Sequence, residues 1–383
     1  MKRNYIAKRF QNAGSGLTLD TEALAKYKDI IDLSIGDTDF ITDECILNAA
    51  FRDAKAGYTR YGDPKGDPEL IDAVCRAWQE DFEQKFPHDH VLVSASSCLG
   101  MALVMFSILD PGDEVIVFSP YFPMYRTQIE LAGGVCVDVP TYASEDYAID
   151  EACLRAAITP RTKAIIFNNP TNPTGMAYGN DTLEMLARVA KEYDLLIAAD
   201  EIYTTYLYAG DFRPLRTLPG MAERTITLNS FSKNFLMTGW RVGVIIAEPE
   251  LLEVMNDING SLIYTAPSIS QRAAIHALSM RREIREKYVT AYRDRIFYTA
   301  DRIEKIPYLS LVRPKGTFYL FPGIEKTGLT DDEFCNVLLD KAHVLVSHGK
   351  AFGTAGAGHF RIACTVGIDT LKIAFDRMEK LSF

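Results

Sequence analysis

The sequence lacks the features that mark several classes of protein. Its seven cysteines form no Cys-x-x-Cys pair and none lies at metal-finger spacing from a histidine, so we predict no metal site. The net charge of −10 is opposite in sign to the basic surface that nucleic-acid binding requires. No apolar run reaches about 18 residues, so we predict no membrane span and no membrane partner. The basic start is not followed by the apolar region of a signal peptide, and we expect a cytoplasmic protein.

The chain is otherwise ordinary in composition and regular in pattern. Apolar residues make up 48% and charged residues 24%, and 383 residues allow one large and one smaller domain. After about residue 90, short apolar segments alternate with helical ones, which predicts a parallel sheet covered by helices on both faces. A helix is predicted at 99–109, and Asp181 is expected to cap another that runs to Tyr193. The predicted strands are 91–95, 114–118, 135–139, 163–168, 195–199, 225–229 and 242–247.

The last third of the chain has a different pattern. Residues 267–306 are helical in pattern and rich in charge, and strands are predicted at 317–321, 344–346 and 360–363. This mixture suggests a smaller α+β domain, which the first 40 or so residues are expected to join. We therefore predict a large α/β domain at 45–275 and a small domain formed by 1–44 and 276–383.

One lysine has an unusual setting. Lys233 follows the predicted strand 225–229, and Arg241 comes eight positions later. A lysine amine is a nucleophile only when part of it is neutral, which apolar surroundings and nearby positive charge favour. Asp200 and Tyr203 follow strand 195–199, at the strand end where parallel sheets bind ligands. A surface lysine, a structural salt bridge and a packing tyrosine are the alternatives. Together the four residues suggest a cofactor held by an imine, a paired ring nitrogen and a phosphate site.

Three further segments carry candidate ligand groups. Ser96-Ser97-Cys98 precedes a helix whose first amides could bind phosphate, although an ordinary serine cap is the alternative. Ser230 and Arg241 could add a hydroxyl and a guanidinium to the same phosphate. The loop from Asn168 to Gly175 has two X-Pro steps after a strand, so it is either a rigid platform for an Asn amide or a plain loop. Arg361 lies among apolar residues and needs an anion, either a substrate carboxylate or a structural partner.

These residues together resemble the class I/II aminotransferases, which are fold-type I enzymes dependent on pyridoxal 5′-phosphate. The resemblance extends from Leu33-Ser34-Ile35-Gly36-Asp37 to Arg361-Ile362-Ala363. Its most specific segments are Asn172-Pro173-Thr174-Gly175, Asp200-Glu201-Ile202-Tyr203, Ser232-Lys233 and Met237-Thr238-Gly239-Trp240-Arg241. The segments Gly57-Tyr58-Thr59-Arg60-Tyr61, Pro120-Tyr121-Phe122-Pro123-Met124-Tyr125 and Gly316-Thr317-Phe318-Tyr319 match as well. It implies a mostly parallel seven-stranded sheet flanked by helices, with a smaller α+β domain.

The resemblance also implies a role for each position. Lys233 would form the Schiff base with pyridoxal 5′-phosphate and move the proton, with Asp200 and Tyr203 as its catalytic partners on the ring nitrogen and the ring 3-oxygen. Asn172 would also hydrogen-bond the 3-oxygen, and Phe122 would stack on the ring. Arg361 would bind the substrate carboxylate with the help of Asn172 and the backbone of Gly36. The phosphate would be held by Ser96, Ser97, Cys98, Ser230 and Arg241, and by Tyr61 of a neighbouring subunit in a homodimer.

The chain departs from the family pattern at a few positions. Ser96 stands where the phosphate loop often carries glycine, and Cys98 stands where some aspartate-specific relatives have lysine. His348 replaces a proline that commonly precedes a glycine in the C-terminal loop. The cofactor prediction is unaffected, but the missing lysine weakens any expectation of an acidic substrate.

We predict a ping-pong transamination, in which an amino acid gives its amino group to a 2-oxo acid. A β-lyase acting on cysteine-like amino acids would use the same residues and is the main alternative. The pattern Ser230-x-x-Lys233 also matches the start of a serine β-lactamase signature, but the Ser-Asp-Asn element is missing. A ligand-sensing regulator would need a DNA-binding segment, and the first 40 residues show no such pattern.

Overall fold

The computed structural model describes residue 5 and residues 27–383. Its centre is a seven-stranded sheet with the order β2-β8-β7-β6-β5-β3-β4. The strands are β2 (Val91–Ser94), β3 (Glu114–Ser119), β4 (Val135–Pro140), β5 (Thr162–Asn168), β6 (Leu196–Asp200), β7 (Thr225–Ser230) and β8 (Gly243–Ile246). Each lies within one residue of its predicted bounds, because short runs of buried β-branched residues are a strong strand signal.

The sheet is mostly parallel, as predicted. Strands β3 to β7 pair in parallel, whereas β8 runs antiparallel to both β2 and β7. Parallel strands end at one edge of the sheet, so Asn168, Asp200 and Ser230 lie at neighbouring strand ends. This edge positions the candidate site.

Helices cover both faces of the sheet. Successive strand residues point to opposite faces, so Val115 and Val117 belong to one buried cluster and Ile116 and Phe118 to another. The helices are α1 (Glu44–Lys55), α2 (Pro68–Phe82), α3 (Ser97–Ile108), α4 (Met124–Leu131), α5 (Glu151–Ala157), α6 (Asn180–Glu192), α7 (Phe231–Asn234), α8 (Pro249–Leu262) and α9 (Ser268–Ser279). No helix in residues 27–383 has the length and apolar character that a membrane crossing needs. The predicted α/β fold is thus confirmed.

One sequence prediction about these helices is wrong. Asp181 was expected to cap the helix that runs to Tyr193, but α6 begins at Asn180 and Gly179 occupies the capping position. Asp181 lies in the first turn, where its charge still interacts favourably with the helix dipole. A carboxylate is favourable both at the capping position and in the first turn of a helix, so the sequence alone does not distinguish the two positions.

A second, smaller body is built from the C-terminal part of the chain. The antiparallel strands β11 (Ser347–His348), β12 (Phe360–Ala363) and β9 (Tyr319–Leu320) form one sheet, and β1 (Ile31–Asp32) pairs in parallel with β10 (Val344–Leu345). The helices here are α10 (Arg281–Ile303), α11 (Asp331–Val337) and α12 (Ile368–Met378), and a π-helical turn follows α11 at Leu338–Ala342.

Helix α10 joins the two bodies. Its first half places Ile284 and Tyr292 in the core next to the large sheet, whereas Ile296 and Ile303 belong to the core of the smaller body. The predicted boundaries at 45–275 and at 1–44 with 276–383 stay a prediction. Of the predicted N-terminal part, residues 1–4 and 6–26 lie outside the described residues.

Candidate active site

A cavity of about 1200 Å³ opens at the carboxyl ends of β5, β6 and β7. It lies between the large sheet and the smaller body, where doubly wound sheets bind ligands. Twelve of the thirteen predicted site residues line it, and Tyr61 does not. The twelve are Gly36, Ser96, Ser97, Cys98, Phe122, Asn172, Asp200, Tyr203, Ser230, Lys233, Arg241 and Arg361.

Asp200 is a buried carboxyl at the end of β6. Tyr125 of α4 donates a short hydrogen bond to its Oδ2, but Oδ1 is buried without a hydrogen-bond partner among the described residues. Burial raises the pKa of Asp200 to about 6, although the donation from Tyr125 acts against that rise. A buried acceptor with no partner costs about 1–3 kcal/mol, so Oδ1 is suited to a charged N–H donor of a ligand.

The loop after β5 is tied to the same strand end. Asn168 Nδ2 donates to the carbonyl oxygen of Asp200 at 2.9 Å, and Asn168 Oδ1 accepts from the backbone nitrogen of Asn172 at 2.8 Å. Thr171 Oγ1 donates to the carbonyl of Asn168 at 2.9 Å. These bonds fix the loop, so the Asn172 side chain is presented to the cavity by a rigid support.

Arg361 of β12 is a buried cation with neutral acceptors. Its guanidinium donates to Asn172 Oδ1 at 3.0 Å, to Ser347 Oγ at 3.3 Å and to the carbonyl of Ser34. It also lies over the ring of Tyr319, 4.5 Å from the centroid. Burial lowers the pKa of Arg361, and its Nε atom is buried without a partner. Within residues 27–383 no carboxylate forms an ion pair with it, so the site is suited to a ligand anion.

Asn172 therefore joins two parts of the site. Because its Oδ1 accepts from Arg361, its Nδ2 is the group left to donate to a ligand. The side chain can hydrogen-bond a ring oxygen while it orients the guanidinium. One residue thus couples the predicted cofactor position to the predicted carboxylate position.

Lys233 lies in α7, directly after β7. Its half-buried Nζ donates to the carbonyl of Gly36 and lies 5.7 Å from the centroid of the Phe318 ring. A Cβ at Gly36 would overlap the Tyr319 hydroxyl, so this close approach of backbone and ring requires glycine. The amine thus lies between an apolar ring and the segment that comes from the smaller body.

Tyr203 lines the same cavity as Lys233. Its hydroxyl shares a hydrogen bond with the Tyr319 hydroxyl at 3.2 Å, and both rings are buried. Burial, followed by the effect of the neighbouring Tyr319, raises the pKa of Tyr203 well above its usual range. Tyr203 is therefore a neutral phenol that can donate a hydrogen bond to a ligand oxygen.

The start of α3 is suited to an anion. Ser96 caps the helix by accepting from the backbone nitrogen of Leu99 at 3.3 Å, and the first amides of a helix have no partner within it. The exposed Arg241 donates to the carbonyl of Thr238 at 2.7 Å, which directs its guanidinium along this edge. Ser232 Oγ also lies 3.5 Å from Arg241 Nη1.

Strand β8 supports this anion site through Gly243. A Cβ at Gly243 would lie only 2.6 Å from the backbone nitrogen of Ser97, so glycine lets the strand approach the helix start. Ser230, at the end of β7, accepts from the backbone nitrogen of Ser232 at 3.1 Å. The end of β7, the beginning of β8 and the start of α3 thus form one cradle of amides and hydroxyls, with the guanidinium of Arg241 nearby.

Phe122 and Tyr61 differ in their placement. The half-buried ring of Phe122 lines the cavity and packs against Tyr125 at 5.6 Å between centroids. Tyr61 lies outside the cavity, is 83% exposed and packs edge-on against Tyr264 at 5.1 Å. Within a single chain Tyr61 therefore does not line the cavity, and its role in a neighbouring subunit stays a prediction.

Sequence reasoning missed several residues that complete the site. Tyr125 lies one helical turn after Phe122, and this spacing could have drawn attention to it. Tyr319 stands in a segment whose resemblance was noticed, but no role was given to it. Asn168 supports Asn172, and it begins a loop that the sequence singles out, but no role was given to it. Ser347 supports Arg361, and no local signal in the sequence marks it.

The fold and the cavity together define an enzyme class. A family model described as aminotransferase class I and II matches residues 28–378. The chain belongs to the class I and II aminotransferases, and its predicted aminotransferase activity on amino acids and 2-oxo acids is confirmed. Members of this family use pyridoxal 5′-phosphate.

Individual relatives place the chain within that family. It is 36% identical to an aspartate aminotransferase of Pyrococcus abyssi over 373 residues, or 93% of this chain and 92% of that protein. It is also 36% identical to aromatic-amino-acid aminotransferase 2 of Thermococcus litoralis over 356 residues, or 92% of this chain and 91% of that protein. A solved single mutant of the Thermus thermophilus aspartate aminotransferase has a TM-score of 0.93 at 32% identity and covers 99% of this chain and 100% of its own. None of these three is a β-lyase.

The residues present fit the family's cofactor. A pyridinium N–H would meet the unpartnered Oδ1 of Asp200, and the ring oxygen would meet the donors Tyr203 and Asn172. An amine, Lys233, lines the same cavity, and the cradle at the start of α3 is suited to a phosphate. Each polar part of pyridoxal 5′-phosphate thus has a complementary group in the cavity.

Proposed function

We propose that the chain binds pyridoxal 5′-phosphate covalently through Lys233 and transfers amino groups between amino acids and 2-oxo acids by a ping-pong mechanism. The observation that carries this proposal is the buried Oδ1 of Asp200, which has no partner in a cavity that also contains a lysine amine and an anion cradle. An empty acceptor at this depth is costly unless a ligand satisfies it.

Besides the bond to Lys233, the cofactor would be held at four places. Asp200 would accept from its ring nitrogen, and Tyr203 and Asn172 would donate to its 3-oxygen. Phe122 would cover one face of the ring. The phosphate would be bound by the backbone and side chains of Ser96, Ser97, Cys98, Ser230 and Arg241. When bound, the cofactor supplies an electron sink for the bond that breaks at the substrate α-carbon.

Lys233 would move the proton. Its Nζ is held by the carbonyl of Gly36 and borders the ring of Phe318, so the amine is confined to the centre of the cavity. A neutral amine there can take the proton from the substrate α-carbon and later return it.

Arg361 would orient the substrate. Among the described residues its guanidinium has neutral acceptors only, so the α-carboxylate of an amino acid would supply a counter-ion. Two guanidinium N–H groups facing one carboxylate fix its plane. The bond to the α-proton is then presented to Lys233, and the hydrogen bond from Arg361 to Asn172 keeps substrate and cofactor in register.

A homodimer is part of the proposal. Tyr61 is 83% exposed, and the neighbouring Tyr58 and Tyr264 are 43% and 49% exposed, so this aromatic surface is suited to a second copy of the chain. Tyr61 would then reach the partner's phosphate. Sedimentation velocity should give a dimer, and a monomer at the concentration of the activity assay would contradict this part. A cytoplasmic location stays a prediction.

The test is a comparison of two lysine variants. Lys233→Ala should bind the cofactor without a covalent bond and lose turnover, whereas Lys305→Ala, an exposed lysine of the smaller body, should behave as the unmodified protein. Borohydride reduction followed by mass spectrometry should place the cofactor on the peptide that contains Lys233. Turnover is measured with a panel of amino acids and 2-oxo acids. Full activity of Lys233→Ala, or a label on another peptide, would disprove the proposal.

A further inference from the structure

The positive charges of the cavity have defined partners. In the part of the chain that the structure describes, four lysine and arginine side chains line it: Lys233, Arg241, Lys350 and Arg361. If the proposed function is correct, on which this inference rests, Lys233 holds the cofactor, Arg241 its phosphate and Arg361 the α-carboxylate. Among the described residues of one chain, Lys350 is then the one lysine or arginine of the cavity left to meet a second negative charge on a substrate.

Lys350 is already paired. Its Nζ forms an ion pair with Asp332, the first-turn carboxylate of α11. The other oxygen of Asp332 lies 2.6 Å from His348 Nδ1. Asp332 therefore neutralises Lys350 and orients His348 at the rim of the cavity. A substrate carboxylate would have to displace Asp332 to reach this amine.

The position next to the phosphate cradle carries a thiol. Cys98 lines the cavity in the first turn of α3, and Gln128 Nε2 approaches its Sγ at 3.4 Å. Although the thiol borders the open cavity, the protein atoms around it raise the pKa of Cys98 more than the nearby Arg241 lowers it. The side chain is thus uncharged at neutral pH and contributes no charge to ligand binding.

Apolar side chains form the wall beside Arg361. Leu345 and Val346 line the cavity and directly precede Ser347, which hydrogen-bonds the Arg361 guanidinium. Ile35, next to Gly36, also lines the cavity and is 42% exposed. Val346 is only 3% exposed, but a ligand side chain that covers Leu345 and Ile35 would remove apolar surface from water on both partners, which favours binding.

We infer that the amino acid substrate of this enzyme carries a large uncharged side chain, aliphatic or aromatic, rather than a second carboxylate. The cavity offers such a side chain apolar contacts beside the α-carboxylate site. It offers a second carboxylate neither an unpaired lysine nor an unpaired arginine within residues 27–383. Burial of a carboxylate without a partner is unfavourable, so aspartate and glutamate are the disfavoured substrates.

The test uses carboxylates that cannot react. The cofactor-loaded enzyme is titrated by calorimetry with 3-phenylpropionate, with 4-methylpentanoate and with succinate. The two monocarboxylates should bind at least tenfold more tightly than succinate. Equal or tighter binding of succinate would overturn the inference, while turnover of aspartate in the same preparation would leave the proposed function intact. If no carboxylate binds and no amino acid reacts, the proposed function itself fails.

A charge variant sharpens this test. Lys350→Met should not weaken succinate binding. A tenfold loss of succinate affinity in this variant would show that Lys350 meets a second carboxylate and would refute the inference.

Discussion

Replacing Ser96 with glycine and with alanine should separate the strain of its backbone from the benefit of its side chain. Ser96 has φ +89° and ψ 154°, a region that glycine adopts freely and that costs other residues about 1–3 kcal/mol. Its Oγ also caps α3 by accepting from the backbone nitrogen of Leu99 at 3.3 Å. The two effects oppose each other in the native protein.

The expected magnitudes follow from these contributions. Ser96→Gly should relieve about 2 kcal/mol of backbone strain. Against this, it should lose a few tenths of a kcal/mol from the helix cap and up to about 1 kcal/mol because the unfolded chain becomes more flexible. The net effect should be a stabilisation of the folded protein by roughly 1 kcal/mol. Ser96→Ala keeps the strain and loses the cap, and should destabilise by about 1 kcal/mol. Glycine should therefore exceed alanine by roughly 2 kcal/mol, a larger margin than the difference between the two residues as helix caps gives by itself.

Calorimetric melting of the cofactor-free protein is the assay. For 383 residues the unfolding entropy is roughly 0.8 kcal/mol per kelvin, so the two variants should differ in Tm by about 2–3 °C. Ser107, in the last turn of the same helix, is the control, since alanine there should be more stable than glycine by up to about 1 kcal/mol. If Ser96→Ala melted at the same temperature as Ser96→Gly or above it, the argument from strain would be wrong.

Three further predictions concern the same site. Gly243→Ala places a Cβ 2.6 Å from the Ser97 nitrogen and should weaken cofactor binding at least tenfold in a fluorescence titration, whereas Gly260→Ala, with no atom within 4 Å of its Cβ, should not. In the cofactor-free protein the pKa of Asp200 is raised to about 6, from about 3.9 in the unfolded chain. Between these two pH values Asp200 is therefore protonated in the folded state and ionised in the unfolded state. The free energy of unfolding should therefore fall by roughly 3 kcal/mol as pH rises from about 4 to above 6, and denaturant titrations of Asp200→Asn should lack this fall; an equal fall would assign it to another group. Tyr125→Phe removes a donor that lowers this pKa, so the upper end of the fall should move to higher pH, and an unchanged profile would exclude the role of that hydrogen bond.

The fold could be predicted from the sequence because its signals are local. Each strand of the large sheet is a short apolar run bounded by turn residues, and its bounds were found within one residue. The antiparallel direction of β8 was not visible, since a buried strand has the same pattern in either direction. The cap of α6 was misassigned because neighbouring acidic and polar residues are equally compatible with a helix start.

The site was predictable to the extent that chemistry is concentrated in short segments. The sequence alone predicts that Lys233, Asp200 and Asn172 lie close together. Each follows a strand, and the carboxyl ends of parallel strands lie at the same edge of the sheet. The donor to Asp200 did not follow, because Tyr125 is 75 positions away and belongs to a helix on another layer. The contact proposed between Tyr61 and the phosphate of a neighbouring subunit depends on a second chain, so only the family resemblance could suggest it.

The amino-acid sequence by itself determined the family, the order of strands and helices along the chain, and the residue types available for the chemistry. The tertiary structure alone decided which of their charges are already matched. Arg361 contacts Ser34 across 327 positions and finds no carboxylate in the described chain, whereas Lys350 is neutralised by Asp332. Two charged side chains pair only when they lie within a few ångströms of each other. Residues far apart in the sequence reach such distances only in the folded structure, so their separation along the chain does not predict which of them pair.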